Sequence, residues 1–307
     1  MPHPQDPRAG IAQFLCLQAA LVLLWWYLLA HVPSSLRWFL PEDVPAETLR
    51  YLAPADLLLL GFGALPVAGV IARRHAAGPA LAWAYGGAVL YPTVICVAAS
   101  FRTDQAWPAA ACMGLMSLAT WSAISMLGLP GQEAACFRPA PMGPQRARRF
   151  TFLQIAVFWF VFLVLVPLGA REAMAHLGYS AFYHGGQRFV SSLLLLAGSG
   201  LGLASAWTLS SHGQGTPLPT ATAATLVARG PFAWVRNPMA LAGTLQMIAV
   251  GWGLGTWPVV ILALLGSGVW HFWVRPLEEA DLQHRFGASY SDYRSRTPLW
   301  IPRPPRS

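Results

Sequence analysis

The chain has 307 residues, of which 55% are hydrophobic and only 10% charged, and its mean hydropathy is +0.47. A soluble domain carries about 25% charged residues, so the composition points to the bilayer as solvent and away from a water-soluble enzyme. The net charge is +8, and all 20 basic residues are arginine; in an apolar chain this charge reads as membrane topology and headgroup attraction, not as a nucleic-acid footprint.

In chain order, apolar runs fall at about 12–32, 55–72, 79–100, 107–129, 151–170, 189–210, 239–256 and 257–275. About 20 helical residues cross the hydrocarbon core, and backbone groups in lipid must be satisfied internally. The expectation is an all-α, polytopic transmembrane helical bundle of about eight spans. The first run is too long for a signal-peptide core and lacks an A-x-A site, so it counts as a span. The last two are short, rich in glycine and joined by "GLGTWP", which predicts a tight helical hairpin. With both termini cytoplasmic, 15 arginines lie inside: Arg8, Arg73, Arg74, Arg138, Arg146, Arg148, Arg149, Arg229, Arg236, Arg275, Arg285, Arg294, Arg296, Arg303 and Arg306. Only Arg37, Arg50, Arg102, Arg171 and Arg188 are left outside, as the positive-inside rule requires.

Residues 1–150 hold four spans with almost no ionisable group inside them, which argues against a proton- or ion-coupled transporter. Asp56 and Glu133 fall at span ends, where solvation is the simpler reading. Cys16, Cys96, Cys112 and Cys136 are scattered without C-x-x-C spacing and predict neither a disulfide framework nor a metal site. The Pro/Arg-rich loop "FRPAPMGPQRARR" (137–149) separates this region, of no assigned role, from residues 151–307.

In the second half, polar residues gather in three segments on one side: "SHGQGTPLP" (211–219), "ARGPFAWVRNPMALAG" (228–243) and everything from Arg275 onward. A site built from them could take a water-soluble cofactor from below and a lipid-embedded substrate from the side. In "VRNPMALAG", Pro238 suits the first turn of a helix because its missing N–H has no partner there anyway. Free N–H groups facing Arg236 would suit a carboxylate; a positive-inside anchor with a helix-starting proline accounts for the same residues. In "HFWVRPLEEADLQHRFG", spacing places His271, Arg275, Glu278 and Leu282 on one helical face, and Pro276 is expected to kink or end the span. Glu278 and Glu279 either face a cationic ligand or complement a helix dipole, with Gly287 where a left-handed cap would go. His271 stands among Trp270, Phe272 and Trp273 as an interior hydrogen-bonded histidine or a ligand-facing one. "GSGLG" (198–202) has no preceding strand, so a Rossmann site is rejected; close helix packing or close approach of a ligand remain. Tyr290, Tyr293 and Trp300 read as interface anchors or as a lid.

Taken as an ordered set, "HGQGTPLP", "LVARGPFAWVRNPMALAG" and "RPLEEADLQHRFGASYSDYRSRTPLWIP", over about residues 190–303, resemble the isoprenylcysteine carboxyl methyltransferase and phospholipid methyltransferase superfamily. The resemblance implies an integral membrane, all-helical methyltransferase that uses S-adenosyl-L-methionine without a Rossmann domain and acts on a lipid or lipophilic small molecule. It also implies that Arg236, Asn237 and Pro238, together with Glu278 and Glu279, bind the cofactor. A Gly-x-Gly associated with the cofactor would be Gly198/Gly200 or Gly200/Gly202. The F-G-x-x-Y-x-x-Y run falls on Phe286, Gly287, Tyr290 and Tyr293 and implies a cofactor-covering tail; His271 completes the candidate set. Two residues depart from the pattern, since many relatives carry His at the position of Asn237 and Tyr at the position of Ala240. A bacterial inner membrane follows from the all-arginine basic set, which hints at a GC-rich genome. An NADPH-dependent membrane reductase of the sterol type, which shares a similar C-terminal run, and a non-catalytic scaffold are the competing readings.

Overall fold

The computed structural model describes residues 6–128, 135–137, 142–217 and 222–304; Glu133, Arg138 and Arg306 lie outside them. Among the described residues the architecture is helical. The helices are α1 (Arg8–His31), α2 (Glu47–Ala72), α3 (Gly78–Thr103), α4 (Trp107–Ser125), α5 (Pro144–His176), α6 (Gln187–His212), the short α7 (Pro231–Trp234), α8 (Pro238–Leu254) and α9 (Trp257–Arg296). The eight apolar runs all fall on helices, but six helices are long and apolar enough to cross a membrane: α1, α2, α3, α5, α6 and α9. The count differs from eight for two reasons. At 17 residues, α8 is about 26 Å long by helical rise, short of the roughly 30 Å core. In α4, a 19-residue helix, alanine, serine, threonine and tryptophan dilute the hydropathy.

The chain divides into two compact units. One comprises Met1–Cys136 and Leu168–Tyr179, the other Phe137–Pro167 and Ser180–Ser307. In the first unit, Leu15 and Val22 of α1 pack with Leu60, Val67 and Ile71 of α2, Tyr85 and Val89 of α3, and Ile124 of α4. Buried polar side chains pair inside this core, Thr120 with Gln18 at 3.1 Å and Thr93 with Ser117 at 2.7 Å. The Glu172 carboxylate accepts the Ala106 and Trp107 amides, each at 2.8 Å. It thereby occupies the N-terminus of α4, where a negative charge is stabilising.

Three helices carry a π turn, at Leu57–Phe62, Phe160–Leu165 and Trp270–Val274. A proline follows each, Pro66, Pro167 and Pro276. Proline removes the bond to the carbonyl four residues back and clashes with it, and those carbonyls, at 62, 163 and 272, all lie within the π turns. The wider turn relieves the clash. For this reason Pro276 does not end α9, which excludes one of the two outcomes expected from the sequence; the helix runs on to Arg296 and breaks its dihedrals at Gly287 (φ 52°, ψ −124°). Pro92 of α3 is carried without such a turn.

In the second unit, α6 and α8 meet at small residues. A Cβ on Gly198 would stand 3.0 Å from the Gln246 Cγ and 3.2 Å from the Ala242 carbonyl oxygen. Across the same contact, Gln246 donates to Ser199 at 3.0 Å and Ser191 to the Ala249 carbonyl at 2.9 Å. Interhelical hydrogen bonds of this kind satisfy groups that lipid cannot. The expected hairpin is present, since only Gly255 and Thr256 separate α8 from α9. Gly255 has φ 69°, and a Cβ there would lie 2.2 Å from the Phe182 carbonyl oxygen. The outer faces are apolar, with Phe189, Leu196, Phe272 and Trp273 all exposed, as surfaces that meet acyl chains should be.

Substitution at the α6–α8 contact tests this packing. Gly198→Val should cost about 1–3 kcal/mol through overpacking and lower the unfolding temperature in detergent. Gly200→Ala, whose Cβ meets nothing within 4 Å, should leave that temperature unchanged or raise it slightly.

Candidate active site

The polar segments of the second unit converge on Arg236. Its position follows from local sequence: Asn237 caps α8, its Oδ1 accepting the Ala240 amide at 3.0 Å, and Pro238 opens the helix. The Leu241 amide bonds to the Asn237 carbonyl at 3.3 Å, and Pro238 has no N–H. Of the first four residues of α8, Met239 is the one whose amide has no hydrogen-bond partner among the described residues. The cradle of free N–H groups anticipated from the sequence is thus narrowed, because Asn237 serves as a cap.

The Arg236 guanidinium donates to the Glu279 carboxylate at 2.6 Å, with the two side chains 15% and 13% exposed. Arg275, one turn before Glu279 on α9, reaches its other oxygen at 3.4 Å. Arg294, beyond the break at Gly287, lies 3.9 Å from the same oxygen. Three guanidiniums therefore surround one carboxylate, an excess of two positive charges. The Arg236 Nε is buried and has no hydrogen-bond partner among the described residues. The hydroxyl of Tyr290, a fully buried side chain, lies against the Arg236 guanidinium, and the Tyr293 hydroxyl donates to the Phe232 carbonyl at 2.8 Å.

The adjacent glutamates have separate surroundings. Glu279 belongs to the arginine cluster. Glu278 makes no hydrogen bond or ion pair among the described residues and shares its neighbourhood with Glu279, Asp281 and Arg285. Arg285 pairs with Asp281 at 2.6 Å and donates to the Ala223 carbonyl at 2.7 Å, tying α9 to the loop after α6. The sequence spacing placed Arg275 and Glu278 on one helical face; the ion pair that Arg275 makes is with Glu279, four residues on. The π turn also adds a residue per turn before Arg275, which shifts His271 out of the simple helical register.

His271 lies in that π turn, where its Nδ1 accepts the Trp300 indole N–H at 3.1 Å. Gly198 and Gly202 sit at the α6–α8 contact, Gly202 with Ala242 at 3.4 Å from its would-be Cβ, whereas Gly200 faces open space. The structure therefore brings Arg236, Glu279 and Tyr290 together, with Tyr293 and Glu278 alongside. It adds Arg275, Arg294, Arg285 and Trp300, which were not singled out as ligands from the sequence. Arg275 had a usable signal in its i, i+4 spacing to Glu279. Arg294 and Trp300 had none, because only the break at Gly287 and the turn after Arg296 carry them back.

Residues 187–289 match the family model for phospholipid methyltransferase. No curated protein and no solved structure matches the chain. The matched segment spans α6, α7, α8 and most of α9, so it contains Arg236, His271, Glu278 and Glu279. It ends just before Tyr290. Together with the six long apolar helices, the match marks a multi-pass membrane protein.

Charge removal separates the two glutamates. Glu279→Gln should destabilise the protein by roughly 2–3 kcal/mol, less than a fully buried pair because its partners keep some exposure. Glu278→Gln, which breaks no ion pair, should leave thermal unfolding unchanged.

Proposed function

We propose that the second unit is an S-adenosylmethionine-dependent membrane methyltransferase acting on a lipid or lipophilic acceptor. The observation that carries this reading is the charge arrangement inside the matched segment. Three guanidiniums crowd Glu279, the buried Arg236 Nε has no partner among the described residues, and the adjoining Glu278 makes no hydrogen bond or ion pair among them. That donor set fits the amino-acid end of the cofactor, which carries a carboxylate and an ammonium on one carbon.

When bound, S-adenosylmethionine supplies an electrophilic methyl group on a sulfonium. Arg236 and its neighbours would hold the carboxylate, with the Met239 amide as a further donor at the start of α8. Glu278 would hold the ammonium, while Glu279 keeps the guanidiniums from repelling one another. Tyr290 and Tyr293 would close the site, and the Gly-x-Gly region of α6 would line its approach. The chain contributes position and exclusion of water, which suffice for direct transfer between aligned reactants. The exposed apolar flanks of α6 and α9 would admit the acceptor from the bilayer. The arginine bias supports a topology with both termini on the cytoplasmic side, and the all-arginine basic set supports a bacterial inner membrane.

Membranes containing the protein, incubated with methyl-labelled S-adenosylmethionine, should incorporate label into a lipid or lipophilic product. The purified protein should bind S-adenosylhomocysteine and not NADPH. Opposite charges about 4 Å apart at an effective dielectric near 20 attract by about 4 kcal/mol before desolvation. Glu278→Gln should accordingly weaken S-adenosylhomocysteine binding at least about ten-fold by calorimetry without lowering the unfolding temperature. Binding of NADPH alone would favour the reductase reading, and binding of neither would remove the catalytic one.

A further inference from the structure

Beyond the matched segment, the chain folds back on the residues that position Arg236. After α9 ends, Thr297 is extended (φ −110°, ψ 122°). The Pro298 carbonyl then accepts the Arg236 amide at 2.8 Å, and the Arg303 amide donates to the Trp234 carbonyl at 3.1 Å. Residues 298–303 thus form a loop pinned at both ends to residues 234–236. Between the pins, the Trp300 indole donates to His271 Nδ1 at 3.1 Å and sets its ring edge-on to Trp270, centroids 5.3 Å apart. One span end, one loop and the tail are joined at this place.

We propose that residues 297–303 are a strap that positions Arg236, and that Trp300 is its fastening through His271. The Asn237 cap fixes where α8 begins, but two residues before it the backbone is extended: Val235 has φ −150° and ψ 139°. The Val235 amide closes the last turn of α7 on the Pro231 carbonyl at 3.2 Å, but Arg236 belongs to neither helix, so its conformation depends on what bonds to it. The Pro298 carbonyl takes the Arg236 amide, and Glu279 takes the side chain. Trp300 touches neither Arg236 nor Glu279 through a hydrogen bond. It acts by holding the tail against the end of α9, which makes it a positioning residue. Indole N–H can only donate, so His271 Nδ1 is the acceptor and the neutral ring carries its hydrogen on Nε2. The bond fixes the tautomer of His271 as well as the place of the tail.

Hydrogen exchange of the full-length protein in lipid nanodiscs tests the strap without any ligand, so its outcome is independent of the methyltransferase reading. Trp300→Phe keeps a ring against Trp270 and removes the donor. The Arg236 and Arg303 amides should then exchange about ten-fold faster, as expected for loss of one ordinary hydrogen bond, while amides within α6 and α8 are unchanged. His271→Leu should reproduce the effect. His271→Gln, whose amide oxygen can accept from the indole, should restore protection toward the wild-type rate. Wild-type exchange at Arg236 in both Trp300→Phe and His271→Leu would overturn the proposal. So would equal acceleration in His271→Gln and His271→Leu, because packing and not the hydrogen bond would then hold the tail.

Discussion

Around Glu279, three arginines from three separate stretches of chain are held within a few ångströms, and the rest of the site depends on this one carboxylate. Arg236 precedes α8, Arg275 begins the polar part of α9, and Arg294 lies past the break in α9. Without the carboxylate, like charges in a partly desolvated corner would drive the three segments apart. With it, two positive charges remain uncompensated, enough to attract an anion while the segments stay together. The same residue therefore joins the site and sets the sign of what it attracts.

The helices bring these residues together by accommodating prolines and small residues. The π turn at Trp270–Val274 allows α9 to pass Pro276 without stopping, so Glu278 and Glu279 continue on a rigid helix extending from an apolar one. On the other side, Gly198 lets α6 approach α8 closely enough for Gln246 to reach Ser199, which fixes the helix whose N-terminus carries Arg236. Packing deep in the bundle is thus connected to placement at its polar end through two stiff helices, consistent with site residues being most exact on regular elements.

Much of this was legible along the chain. Apolar runs located every long helix, because lipid demands continuous apolar stretches with internally bonded backbone. Asn237-Pro238 marked the start of α8, the "GLGTWP" segment its hairpin, and Gly287 a break, because caps, turns and positive φ are local requirements. Of the eight apolar runs, six lie on helices long and apolar enough to cross a membrane among the described residues, since α8 is cut short by the Gly255 turn and α4 is diluted by small and polar residues. The two readings left open for "GSGLG" divide along the helix: Gly198 packs tightly against α8, whereas Gly200 is open.

The sequence alone determined what depends on nearest neighbours in the chain: helical spans, their starts and stops, and the grouping of polar residues toward the C-terminal half. Tertiary structure decided the division of labour within that group. Glu278 and Glu279 are chemically identical and adjacent, and only the approach of Arg236 and Arg294 from elsewhere makes one a structural counter-ion and leaves the other without a hydrogen bond among the described residues. Trp300 gained its role in the same way, by a fold-back that brings it to a histidine 29 residues earlier. Helix periodicity is a local property of the chain, but charge pairing and tail docking depend on distances in space that no spacing along the sequence encodes.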